Sequence, residues 1–90
     1  MKVEELAAYC DHIEREFFRF KGRPGTLSPS DFSRVRQWFE AGRGLNAVLE
    51  GIGAAFEARA GGRDLGTEEV NSLGFCEPFI EQAARRRRSQ

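Results

Sequence analysis

Few residues in this chain could carry chemistry. There is one histidine, His12, two cysteines, Cys10 and Cys76, and two adjacent acid pairs, Glu4-Glu5 and Glu68-Glu69. Cys10-x-His12 with Cys76 offers three soft metal ligands. Residues two apart on a helix point about 200° apart, however, and a tetrahedral zinc site cannot easily draw on both. Cys10 also falls within an apolar stripe, where a free cysteine behaves as a small hydrophobe. A Cys76–His12 nucleophile pair would need a third, orienting group and an oxyanion site, and the sequence nominates neither. The acid pairs stand near helix starts, where they oppose the helix dipole favourably. Gly42-Arg43-Gly44 and Gly51-Ile52-Gly53 lack the preceding strand and the Lys-Ser/Thr ending of a phosphate loop. The expectation is a non-enzymatic chain with no metal, no cofactor and no small-molecule substrate.

The elements that would position these residues read as helices. Val3, Leu6, Cys10, Ile13, Phe17 and Phe20 recur at spacings of three and four, one face of a helix over 3–20. Gly22, Pro24 and Gly25 stop it. Ser28-Pro29 then supplies an N-cap hydroxyl and a proline at the first helical position, and Asp31 stands where a capping-box acid would. This predicts a helix over 29–41 with Phe32, Val35 and Phe39 inward, Trp38 on the flank and Gly42 as the left-handed stop. Leu45, Val48, Leu49, Ile52 and Phe56 predict a third helix over 45–60. Gly51 and Gly53 cost it roughly 1 kcal/mol each relative to alanine, tolerated where another helix packs close. Val70, Leu73, Cys76, Phe79, Ile80 and Ala83 form a last stripe interrupted by Pro78. Either a short turn over 67–74 precedes a helix from Pro78, or one helix runs over 72–88; we favour the second, with an irregular first turn. The expected architecture is all-α: a compact bundle of about four helices in a single domain over 1–84, with a basic tail over 85–90 that frays.

Composition bounds the function. Charged residues make up 31% of the 90 and apolar residues 40%, which suits a globular domain rather than a disordered chain. No apolar run approaches the roughly 18 residues of a membrane span. Met1–Leu6 carries two acids and no apolar core, so no signal peptide is expected, and a cytoplasmic location with free thiols follows. The net charge of zero conceals segregation. Residues 15–43 carry seven bases against three acids, and 44–81 two bases against seven acids.

Two binding classes remain. Arg15, Arg19, Lys21, Arg23, Arg34, Arg36 and Arg43, with Phe18 beside the Arg15–Arg19 face, have the ingredients of nucleic-acid binding: charge for phosphates and a ring for bases. Arg85, Arg86, Arg87 and Arg88 add a second basic run, which fits dipole complementarity, a solubilising tail or phosphate contact equally well. The plainer reading of the bases over 15–43 is a solvated face paired with the acidic second half. Alternatively Tyr9, Phe18 and Trp38, off the main stripes, could mark a protein partner's site or a homodimer contact, unless they fill the core.

The order of blocks is Leu27-Ser28-Pro29-Ser30-Asp31-Phe32, Trp38, Gly42, then Leu-Asn-Ala-Val-Leu-Glu-Gly-Ile with Phe56, and Asn71-Ser72-Leu73-Gly74-Phe75. Over roughly residues 13–83 it resembles the C-terminal domain of bacterial DnaD-type primosome proteins. It is also similar to small uncharacterised bacterial helical proteins with Leu-Ser-Pro-x-Asp-Phe and Val-Leu-x-Gly-Ile blocks. The resemblance implies an all-helical fold and binding of single- or double-stranded DNA in replication. The family's last helix carries Tyr-x-x-x-Ile-x-x-x-Trp, tied to single-stranded DNA. Phe75, Phe79 and Ala83 stand at those places here, so only the first aromatic is kept.

Overall fold

The computed structural model describes residues 2–22, 24–61 and 72–88, which form four α-helices with no strand among them. α1 spans Lys2–Lys21, α2 Pro29–Glu40, α3 Leu45–Gly61 and α4 Leu73–Arg88, each end within a residue of the sequence expectation. Arg23, Glu68, Glu69 and Val70 lie outside the described residues, as do the side chains of Val3 and Arg88.

The caps explain the boundaries. Ser28 Oγ accepts the Asp31 N–H at 3.2 Å and Pro29 opens α2. At its far end Gly42 takes φ +78°, a left-handed conformation that glycine adopts without a Cβ penalty. The Gly42 N–H reaches the Phe39 carbonyl at 3.1 Å and the Arg43 N–H reaches Trp38 at 2.9 Å. This paired closure satisfies two carbonyls that would otherwise be unpaired at the helix end. The Tyr9 hydroxyl donates to the Arg43 carbonyl at 2.9 Å and so ties α1 to the same turn.

α4 keeps its expected bounds, with exposed Pro78 inside it, and its first turn opens with a three-residue bond from the Phe75 N–H to the Ser72 carbonyl at 3.1 Å. The start is secured from outside the helix. Asp31 Oδ1 accepts the Leu73 N–H at 3.2 Å and the Ser72 hydroxyl at 3.3 Å, while Ser72 Oγ accepts the Gly74 N–H at 3.0 Å. Asp31 therefore caps α4 rather than closing a box on its own helix. At the other end Arg85–Arg88 continue α4 instead of fraying, with Arg86 and Arg87 both held by Glu50 of α3.

α3 packs most extensively on α4, and small residues let them approach. Ala47, Val48, Gly51, Ile52 and Ala55 are buried on α3, and Leu73, Cys76, Ile80 and Ala83 on α4. The faces of the other two helices are rotated from expectation. α1 buries Tyr9, Ile13 and Phe17, leaving Leu6 and Cys10 half-buried and Phe20 37% exposed. α2 buries Asp31, Val35 and Trp38, while Phe39 is half-buried and Phe32 is 41% exposed. The α2 rotation follows from its cap: Asp31 must face α4, and residues four and seven positions on then face the same way.

Candidate interaction surface

Among the described residues the basic side chains do not converge on one face. On α1, Arg15 pairs with Asp11 at 3.2 Å and Arg19 with Glu16 at 3.0 Å. Arg19 also lies over the Phe20 ring, 4.7 Å from its centre, and Lys21 faces the Phe17 and Phe18 rings at 5.5 and 5.7 Å. On α2, Arg36 pairs with Glu40 at 3.3 Å. The others bridge elements: Arg34 to Glu77 of α4 at 3.0 Å, Arg43 to Glu81 of α4 at 2.6 Å, and Arg86 and Arg87 to Glu50. Arg85 is exposed on the last turns of α4. Glu50, Glu77 and Glu81 are thus structural partners that sequence reading left unassigned. Only a contact map connects residues some 36 to 43 positions apart.

Of the three aromatics singled out as a partner surface, two are core. Tyr9 and Trp38 are 7% and 3% exposed, and Tyr9 meets Phe39 edge-on with ring centres 5.2 Å apart. Their large rings fill the space between α1, α2 and the α2–α3 turn, which is why they cannot present a surface. Phe18 is half-buried against Phe17 at 5.2 Å, and a Cβ at Gly25 would lie 2.6 Å from its ring. Among the described residues the exposed large apolar side chains are instead Phe20 and Phe32, which the periodicity placed inward.

Each stands at a surface hollow. Phe20 stacks on Phe56 at 5.2 Å and, with Leu49, Gly53 and Ala54, lines a hollow of about 760 Å³ between α1 and α3. Phe32 lines a smaller one of about 340 Å³ with Leu6, Ala7, Cys10, Asp11 and Glu14 of α1. A third hollow, of about 690 Å³, lies at the α2–α3 turn beside Arg43, Ala84 and Arg87.

The thiols are held in their neutral form. Burial, then the nearby Asp31 charge, pushes Cys76 up to about 12, and burial with Glu14 and Asp11 raises Cys10. Both favour the unreactive thiol. Among the described residues no three of His, Cys, Asp and Glu gather to hold a metal ion, and no helix is long and apolar enough to cross a membrane. Burial likewise raises Tyr9 to about 12. Since the folded state keeps the Cys76 and Tyr9 protons to higher pH than the unfolded chain does, their contribution is intact below pH 9 and is lost as pH climbs towards 12. The denaturation midpoint should therefore fall through this window. Tyr9→Phe should flatten the fall, and an unchanged slope in that variant would contradict the assignment.

No protein-family profile, curated protein or solved structure matches the chain.

Proposed function

We propose that this chain is a non-enzymatic protein-interaction module. One contrast supports the reading: Arg15, Arg19, Arg34, Arg36, Arg43, Arg86 and Arg87 pair with acids of their own domain, while Phe20 and Phe32 stand exposed over surface hollows. An acid beside a guanidinium offsets part of its attraction for a phosphate. An exposed aromatic over a surface hollow is ready to be covered by a partner. The competing reading is a DNA-associated replication accessory, as the DnaD-type resemblance implies.

Two measurements separate them. Fluorescence anisotropy with labelled single- and double-stranded DNA should show no binding even at low salt, where phosphate contacts are strongest. Salt-sensitive binding there would favour the DNA reading instead. In parallel, Phe20→Glu and Phe32→Glu should be compared with wild type in partner capture from host lysate. The expected result is a protein retained by wild type and lost in at least one variant. Equal capture by all three would overturn the proposal.

A further inference from the structure

We infer that the hollow between the N-terminal half of α1 and the start of α2 takes a short, basic, amphipathic helix from a partner protein. This rests on the interaction reading above and adds the partner's chemistry. The floor is apolar, formed by Leu6, Ala7 and Cys10 of α1 with exposed Phe32 of α2 facing them. Its volume of about 340 Å³ is at the lower end of pockets that hold a few anchoring side chains. A groove between two helices accepts the ridge of a third, whose anchors recur at three- and four-residue spacing.

The rim supplies the sign of the partner's charge. Asp11 and Glu14 line the hollow, and exposed Glu4 stands on the same helical line, with Ala7 between at spacings of three, four and three. Glu14 is fixed in place by accepting the Leu27 N–H at 3.0 Å. Among the described residues Asp11 is engaged by Arg15 at 3.2 Å, an exposed pair that water screens and a partner's cation can displace. A nucleic acid would meet like charge here. A two-fold pairing of this face with a second copy would set Glu4, Asp11 and Glu14 against themselves. Arg86 and Arg87 of such a copy are already held by Glu50. The Phe20 hollow names no partner charge, since Glu50, Glu57 and Arg86 give its wall both signs.

The test titrates the isotope-labelled full chain with two synthetic amphipathic helical peptides. Both carry the same leucine ridge, one flanked by lysines and the other by glutamates. The lysine peptide should shift the amide signals of Leu6, Ala7, Cys10 and Phe32 saturably, and the glutamate peptide should not. Asp11→Lys, at an exposed position, should weaken the lysine peptide at least about fivefold, and so should raising salt from about 50 to about 300 mM. Phe32→Ala should also weaken it. Equal response to both peptides, or no saturable shift at these residues, would overturn the inference. Shifts centred on Phe20 would overturn it while leaving the interaction-module reading standing. Salt-sensitive DNA binding with no peptide response would remove both.

Discussion

Gly51→Ala should destabilise the protein by about 3 kcal/mol, the upper part of the range for overpacked cores. In an exposed helix the same change would add roughly 1 kcal/mol of stability, because alanine loses less backbone entropy. Here the added Cβ would lie 2.5 Å from Ile80 Cα and Cγ1 and 2.6 Å from its nitrogen. A side chain could rotate away, but backbone atoms cannot, so α3 and α4 would have to part. Parting them loosens Val48, Ile52, Leu73, Cys76 and Ile80 together, since all are fully buried at or beside this contact. Gly53→Ala is the matched control. Its Cβ would meet only the end of the Phe20 ring at 3.4 Å, so the substitution should be neutral or stabilise by up to about 1 kcal/mol. Chemical denaturation of the two variants would show opposite signs. In a domain this small, the Gly51 variant should also melt more than about 10 °C lower. Equal stabilities for the two would mean that the helices do not approach as closely as described.

The same close approach explains what the sequence could and could not convey. Helix ends were legible because caps are local: Ser28-Pro29 and Gly42 act through bonds within six residues. The orientation of α1, α2 and α3 was not, because hydrophobic size is a poor guide when the central contact is made by glycine and alanine; on α4 the expected Leu73, Cys76, Ile80 and Ala83 are buried. With Ala47, Gly51 and Ala55 at the α3–α4 seam there is no room for rings, so Leu49 and Phe56 move to its edge. Phe56 then meets Phe17 and Phe20 of α1 at 5.8 and 5.2 Å. The α1 stripe includes Cys10 and Phe20 and omits Tyr9, yet Tyr9 turns inward beside Ile13 and Phe17 because its hydroxyl finds the Arg43 carbonyl. That pairing spans 34 residues and leaves no local trace. The charge segregation was legible, and the plainer reading of it, pairing with the acidic second half, describes Arg34 and Arg43, whereas Arg15, Arg19 and Arg36 pair with acids of their own helices. The rotation that buries Tyr9 and Trp38 exposes Phe20 and Phe32, which the periodicity placed inward.

Asp31 should prove the polar residue on which the assembly of α2 and α4 most depends. Asp31→Ala is expected to cost about 3 kcal/mol, the upper range for losing a hydrogen bond to a charged acceptor and stranding a buried donor. The carboxylate is 5% exposed and lies in the first turn of α2 and at the start of α4, so the positive ends of two helix dipoles favour it. Alanine would leave the buried Leu73 N–H without its acceptor and release the Ser72 hydroxyl. Pro78 makes the loss worse, because a proline already removes one backbone donor from α4 and leaves its first turns more dependent on the external cap. Asp31→Asn keeps an oxygen that can accept both bonds and should cost only about 1 kcal/mol. Ser28→Ala removes a cap on α2 alone and should also cost about 1 kcal/mol. Amide exchange distinguishes the two sites: Asp31→Ala should speed exchange at Leu73, Gly74 and Phe75, whereas Ser28→Ala should act at the start of α2. If the alanine and asparagine variants were equally stable, the charge and geometry of this cap would not be what joins the two helices.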